Sequence, residues 1–209
     1  MDDFYTPKRI EPRIVPSLFD KETCDTFLVD VVDSDYRICV ERSAHRWSNT
    51  KTGHYGSGII NDENDPTRVE RIGLLGEFAL AKIFGLAVDL SYRQGGDKED
   101  FIINDKRINM KTASKQENFG RVYHRNEKGK LVKTDCDYYV FGFLTREHKR
   151  REVSTVCLVG FASHAVVVTS PIHPGKGEHY NYDVPYMFLT CMSMFMPIIH
   201  GKVRYGDAI

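Results

Sequence analysis

Residues 95 to 112 hold two short strand-like runs joined by a turn sequence, and this pattern constrains the fold more than any other part of the chain. A pair of glycines precedes the apolar run Phe101 to Ile103, and Asn104-Asp105-Lys106 has the chemistry of a tight turn. Residues 107 to 112 then alternate polar with apolar side chains. The stretch therefore predicts a β-hairpin, whose two strands lie side by side in a sheet.

Three polar side chains are expected to converge on this hairpin. Asp100 opens the first strand, and Asn109 and Lys111 point to the same face of the second because they are two residues apart. A carboxylate oxygen is a hard ligand that Mg²⁺ accepts together with water and substrate phosphate oxygens. A nearby lysine can hydrogen-bond an attacking water or offset the charge that builds on phosphorus. The hairpin thus predicts a site for metal-assisted hydrolysis of a phosphodiester.

A helix is predicted upstream of the hairpin. Asp65-Pro66 has the chemistry of a helix start and Gly85 that of a helix stop. Between them Glu77 lies on a stripe of small and apolar residues, where a carboxylate needs a partner. That partner can be a cation such as Arg71 or a core lysine, or a metal ion. The hairpin downstream favours the metal ion, bound directly or through water.

Glu77, Asp100 and Lys111 together resemble the motif of the PD-(D/E)xK nucleases, which have the restriction-endonuclease-like fold. That family has a helix glutamate, an aspartate at the head of a strand, and an acid-x-lysine on the next strand. The likeness runs from about residue 67 to about residue 165. It implies an α/β core with a mixed sheet of about five strands flanked by helices, and Mg²⁺- or Mn²⁺-dependent endonuclease activity on DNA.

The resemblance also implies roles for individual residues. Glu77 and Asp100 would bind the metal, Lys111 would orient or activate water, and the carbonyl of Met110 would be a further ligand. The family's acid two residues before the lysine is Asn109 here, which would be a neutral ligand and would hold the metal more weakly. We take Asn109 as a tolerated variant. An inactive DNA-binding module, a substitution that traps a complex, and an RNA-processing nuclease on the same scaffold stay open as alternatives.

A polar, basic segment, residues 115 to 134, follows the second strand of the predicted hairpin. Affinity for nucleic acid that is independent of base sequence comes from lysine and arginine, so this segment is a candidate for contacts with the phosphate backbone. The alternative is a solvated, charged face. The residues assigned to nucleic-acid contacts are Lys115, Gln116, Arg121, Arg125, Lys128 and Lys130.

The remaining elements are predicted from periodicity and residue type. Residues 137 to 144 and 153 to 159 are apolar, β-branched and aromatic, which predicts two central strands. The basic segment Arg146 to Glu152 between them is expected to be a solvated hairpin turn.

Apolar residues between Cys24 and Val32 fall at helical spacing and predict a helix, whereas the type of element over residues 36 to 48 is left open. Residues 49 to 65 and 170 to 183 are predicted as loops. A last helix is predicted from Pro185 to Met196, stopped by Pro197.

Composition limits the function classes. The chain has 29 basic and 29 acidic residues, so any nucleic-acid footprint must be local. Five scattered cysteines suggest neither a disulfide framework nor a zinc site, and with no targeting or membrane-spanning pattern the expected location is the cytoplasm. An N-terminal extension over 1–65 and a nuclease-like core over 66–209 are expected. The sequence leaves open whether the protein forms a homodimer.

Overall fold

The computed structural model describes residues 4–16, 25–52, 65, 67–91, 99–125, 136–174 and 180–202. The strands in chain order are β1 Phe4–Tyr5, β2 Arg13–Pro16, β3 Asp25–Val32, β4 Val88–Asp89, β5 Phe101–Ile103, β6 Lys106–Ala113, β7 Phe119–Arg125, β8 Tyr138–His148, β9 Val153–Ser163, β10 Ile172–Pro174 and β11 Tyr180–Pro185. The α-helices are α1 Asp33–Thr52, α2 Arg68–Phe84, α3 His164–Val168 and α4 Phe195–Ile199, and 3-10 turns cover Lys149–Arg151, Tyr186–Phe188 and Met192–Met194.

The centre of the described structure is a six-stranded sheet in the order β2-β3-β9-β8-β6-β5. Strands β6 and β8 are parallel, and the other neighbours in this sheet are antiparallel. A three-stranded sheet, β10-β11-β7, and the pair β1-β4 complete the strand pairing. The prediction of a mixed α/β fold with helices flanking a mixed sheet is therefore confirmed, with six strands in place of about five.

Each face of the main sheet is covered by a different layer. Helix α2 packs on one face, and Ile108 and Met110 of β6 belong to the hydrophobic cluster there. On the other face, β7 and β11 pack over Phe141 and its neighbours. Gly120 of β7 lies so close to this layer that a Cβ would stand 2.0 Å from the Phe141 ring. Glycine at this position allows the small sheet to sit directly on the large one.

The predicted helix between Cys24 and Val32 is wrong, because the described part of this segment is strand β3. Phe27, Val29 and Val31 are buried while the residues between them are only partly buried, which is the period of two of a strand. The β-branched side chains and the hydrogen-bonding partners β2 and β9 outweigh the helical spacing of the apolar residues. Residues assigned to the N-terminal extension thus form part of the main sheet.

The region between β3 and α2 is more helical than its sequence indicates. The segment left open over 36 to 48 lies within α1, which continues to Thr52 and so enters the predicted loop of residues 49 to 65. Residues 53–64 lie outside the described part of the chain. Helix α2 confirms the predicted helix, and Gly85 ends it with the left-handed φ of 67° that favours glycine.

The C-terminal predictions are partly wrong. Residues 170 to 183 hold β10 and the start of β11 in place of a continuous loop. The predicted last helix is two 3-10 turns followed by the short α4. Pro197 lies inside the first turn of α4, where the missing backbone N–H has no helical partner to lose. Strands β8 and β9 and the hairpin turn between them agree with the prediction.

Two further findings concern the cysteines and the helices. Cys39, Cys136 and Cys157 are buried and form no disulfide, whereas Cys191 is disulfide-bonded, which the scattered cysteine pattern did not predict. None of the described helices is both long and apolar enough to cross a membrane.

Arg71 fastens α2 to the hairpin of β8 and β9. Its guanidinium is almost fully buried and contacts Asp65 Oδ2 at 2.6 Å and Glu147 Oε1 at 2.8 Å. Tyr36 of α1 donates to the same Glu147 oxygen at 3.2 Å. Burial, followed by the neighbouring Glu147 charge, raises the pKa of Tyr36 to about 12. The hydrogen bond from Arg71 holds the pKa of Asp65 well below its ordinary value of 3.8.

Because the pKa of Asp65 is lower in the folded protein than in the unfolded chain, the ionised carboxylate stabilises the fold above pH 3.8. This contribution is lost as the pH falls through the folded pKa. Replacing Asp65→Asn should lower the free energy of unfolding at neutral pH by about 2 kcal/mol, the scale of a hydrogen bond to a charged group. The variant should also lose less stability than the wild type between neutral pH and about pH 3. Urea unfolding at both pH values measures this, and equal losses in the two proteins would contradict the assignment.

Candidate functional site

The predicted hairpin is present, and its turn is built from two residues with positive φ. Asn104 and Asp105 have φ values of 50° and 60°, as the two central residues of a type I′ turn require. Strand β5 pairs antiparallel with β6, and Phe101 lies opposite Ile108. Beyond this pair, the Asp100 backbone N–H donates to the Ile108 carbonyl at 2.9 Å. Asp100 therefore lies just before the paired residues of β5, next to Ile108 and the following residues of β6.

The carboxylate of Asp100 accepts a backbone hydrogen bond from β6 that a neighbouring strand would otherwise accept. Its Oδ2 accepts a hydrogen bond from the Met110 backbone N–H at 2.5 Å. Among the described residues, β5 pairs only with positions 106 to 108 of β6. The carbonyl of Met110 points toward the same edge as its N–H, because both groups of one residue face the same neighbour in a strand. A carboxylate and a backbone carbonyl thus lie at one stretch of the sheet edge.

Close contact between α2 and β6 fixes which face each β6 side chain occupies. A Cβ on Gly76 would lie 1.8 Å from Thr112 Oγ1 and 3.2 Å from Met110 Cε, so both side chains point toward α2. By strand alternation, Asn109 and Lys111 point to the opposite face. Asn109 is 7% exposed, and Lys111 is partly buried. We call Asp100, Asn109, Met110 and Lys111 the β6 edge site.

Glu77 approaches from the other side of the sheet. It is 9% exposed, and its Oε1 lies 3.7 Å from Nη1 of Arg46 on α1. Arg46 also donates to the Asp89 carbonyl at 3.1 Å. Burial, and then the negative charge of Glu77, raise the pKa of the Cys39 thiol. Glu77 therefore belongs to the α2 layer, opposite Asn109 and Lys111, and its part in the site stays a prediction.

The donor set of the β6 edge site fits a hard divalent cation with few charged ligands. Asp100 offers a carboxylate, Asn109 an amide oxygen and Met110 a backbone carbonyl, and Mg²⁺ and Mn²⁺ prefer oxygen ligands of these kinds. Within the described ranges, no three or more His, Cys, Asp or Glu side chains are grouped closely enough to hold a metal ion. A cation at this edge would therefore depend on the neutral oxygens as well as on Asp100.

The residues assigned to nucleic-acid contacts fall into three groups. Lys115 and Gln116 are exposed and directly follow β6. Arg121 on β7 is half exposed but lies 3.6 Å from Glu117 and 3.8 Å from Asp183, so its charge is partly balanced. Arg125 ends β7, and its side chain lies outside the described part of the structure, as do Lys128 and Lys130.

Arg107 is a residue of this face that the motif alone does not indicate. It precedes Asn109 by two positions on β6 and therefore shares the face of Asn109 and Lys111. Its backbone is held by Asp137, because its N–H donates to Asp137 Oδ2 at 2.8 Å and its carbonyl accepts from the Asp137 N–H. The alternation of polar and apolar residues along β6 is the signal that finds it.

No protein-family model matches the chain, and comparisons with curated proteins and with solved structures found no similar protein.

The contact between α2 and β6 can be tested with two glycines of one helix. Gly76→Ala should lower the free energy of unfolding by about 1 to 3 kcal/mol, because the new Cβ overlaps Thr112 Oγ1. Gly73→Ala is the matched control, since nothing lies within 4 Å of its added Cβ. Alanine there should be neutral or stabilising by up to about 1 kcal/mol because it favours the helix.

Adding Thr112→Ala to the Gly76→Ala variant should recover part of the loss, which a double-mutant cycle of unfolding free energies measures. Equal effects of the two glycine substitutions would show that Thr112 does not face α2.

Proposed function

We propose that this protein is a Mg²⁺- or Mn²⁺-dependent DNA endonuclease with a restriction-endonuclease-like core, and that the β6 edge site is its catalytic centre. The observation that carries the proposal is the hydrogen bond from the Met110 N–H to Asp100. It brings a carboxylate beside the Asn109-Met110-Lys111 segment at one edge of the sheet. The order of elements supports the same function, because a helix with Glu77 precedes a strand headed by Asp100 and a strand with Lys111.

The residues of the site have distinct roles in this proposal. Asp100, the Asn109 amide and the Met110 carbonyl would hold the cation, whereas Glu77, which lies beside Arg46 on the opposite, α2 face, is not needed to hold it. When bound, the cation polarises a phosphoryl oxygen and lowers the pKa of a coordinated water. Lys111 hydrogen-bonds the attacking water and offsets the negative charge that develops on phosphorus. Lys111 makes no ion pair with any described residue, which leaves its ammonium available for this role.

A second function is favoured by one residue, Asn109. An amide at this position gives the site one formal negative charge fewer than the family pattern, so the metal should bind more weakly. A protein that keeps the DNA-binding surface but cleaves slowly or not at all would have this site. The two functions differ in the activity of the chain and not in its affinity for DNA.

Cleavage of supercoiled plasmid in Mn²⁺ tests the catalytic assignment. Lys111→Ala should reduce the rate by about 100-fold or more, because a preorganised group that stabilises developing charge is removed. Lys106→Ala is the matched control, since Lys106 is an exposed lysine at the start of the same strand. This variant should cleave the plasmid at the wild-type rate. Matched DNA and RNA hairpins, assayed in parallel, distinguish a deoxyribonuclease from an RNA-processing enzyme. If purified wild type and Lys111→Ala cleave plasmid equally, the activity does not come from this site.

Asn109→Asp separates the enzyme from the binding module. The added carboxylate should tighten Mn²⁺ binding by about tenfold, equivalent to about 1.4 kcal/mol in binding free energy, and it should raise the cleavage rate at low Mn²⁺. Calorimetric titration with Mn²⁺ measures the first effect and the plasmid assay the second. Tighter Mn²⁺ binding with no cleavage in either protein would favour the binding module.

A further inference from the structure

The turn between β8 and β9, together with the last residues of β8, is a strongly basic exposed segment. It runs from Arg146 to Glu152 and includes the 3-10 turn Lys149–Arg151. Its exposed basic side chains are Arg146, His148, Lys149, Arg150 and Arg151. The sequence alone predicts a solvated turn for this segment. Its contacts in the fold show which of its charged side chains have ion-pair partners.

Both acidic residues of this turn form ion pairs with arginine side chains of the helices. Glu147 accepts a hydrogen bond from the buried Arg71 at 2.8 Å. Glu152 accepts one from Arg37 of α1 at 2.6 Å. Neither carboxylate is therefore left to neutralise the basic residues beside it in the sequence.

One lysine of the turn is neutralised as well. Lys149 contacts the Asp65 carboxylate, and the Asp33 backbone N–H donates to the Glu152 carbonyl at 3.0 Å. These contacts hold the turn against the starts of α1 and α2. Arg146, Arg150 and Arg151 make no ion pair with any described residue. We call these three arginines the basic tip.

The basic tip lies at the end of the sheet toward which β6 and β8 both run. These strands are parallel, with Lys111 beside Phe141 and Ala113 beside Phe143. The exposed Lys115 therefore leaves β6 at the end where β8 continues to Arg146. At about 3.3 Å per strand residue, the tip is roughly 15 to 30 Å from the level of Lys111. That distance spans roughly 4 to 9 base pairs of duplex at about 3.4 Å each.

We propose that the basic tip is a second contact for the phosphate backbone of duplex DNA bound at the β6 edge site. This inference rests on the proposed nuclease function and adds to it the length of duplex that the protein grips. Arginine binds phosphate oxygens through two parallel N–H donors, and a turn held by ion pairs loses little conformational entropy on binding. Because the whole chain has no formal net charge, the uncompensated arginines give the surface a local attraction for a polyanion.

The test replaces the basic tip by glutamine in the variant Arg146→Gln, Arg150→Gln, Arg151→Gln. Binding to labelled DNA is measured in EDTA, so that cleavage does not interfere. On a duplex of about 24 base pairs, roughly 80 Å long, affinity should fall by at least about tenfold. On a hairpin duplex with a stem of about 4 base pairs, roughly 14 Å long and thus too short to reach from the β6 edge site to the tip, the loss should be less than about threefold. The slope of log affinity against log salt for the long duplex should decrease by roughly 2 to 3.

A matched control removes the same charge elsewhere, as Lys8→Gln, Arg9→Gln, Lys202→Gln. These are exposed basic residues outside the β8–β9 turn. The control should bind both duplexes within about twofold of the wild type, because long-range charge effects are screened within about 10 Å at 0.1 M salt. Circular dichroism and urea unfolding of both triple variants establish that each is folded.

Each outcome decides one proposal. The proposal for the basic tip would be overturned if the tip and control variants lost DNA affinity equally, or if the tip variant lost affinity equally for both duplexes. It would also be overturned if the wild type bound neither duplex. Loss of binding to phosphatidylserine vesicles with unchanged DNA affinity would overturn it as well. If the tip variant binds the long duplex weakly while the wild type never cleaves plasmid in Mn²⁺, the catalytic proposal fails and the basic tip stands.

Discussion

The hydrogen bond between the Met110 backbone and the Asp100 carboxylate is the interaction on which the candidate site depends. It satisfies an edge N–H of β6 with a side chain in place of a strand, and so it leaves a charged oxygen ligand at the sheet edge. The same geometry turns the Met110 carbonyl toward that edge. Asn109 and Lys111 then follow from the period of two along β6. A single side-chain contact thus assembles groups that the chain keeps ten residues apart.

Helix α2 restricts what else can join this group. Gly76 lies directly on Thr112, so the helix approaches β6 more closely than any residue with a Cβ would allow. Arg71, five residues earlier on the same helix, binds Asp65 and Glu147 and holds the helix against the turn of β8 and β9. Arg71 thereby neutralises Glu147 of that turn, and Arg37 of α1 neutralises Glu152. The packing of α2 therefore defines the two faces of β6, and ion pairs from α1 and α2 together leave the nearby arginines without acidic partners among the described residues.

Much of this could be predicted from the sequence wherever the signal is local. The turn at Asn104 and the end of helix α2 at Gly85 have left-handed backbone conformations. Asparagine and glycine adopt these conformations more readily than other residues, so both features can be predicted from residue type. Strand β3 could not be predicted, because the apolar residues of its segment fit both helical and strand periods and its partner β9 is more than a hundred residues away. The face from which Glu77 approaches and the neutralisation of Glu147 by Arg71 are tertiary contacts that no short pattern contains.

The central claim is that the edge of β6 at Asp100 binds a divalent cation. Anomalous diffraction from crystals soaked in Mn²⁺ tests it most directly, because the ion is located without reference to activity. We expect a peak within about 2.0 to 2.6 Å of an Asp100 carboxylate oxygen, with the Met110 carbonyl among the ligands. A well-occupied peak elsewhere with none beside Asp100, or no peak at saturating Mn²⁺, would contradict it.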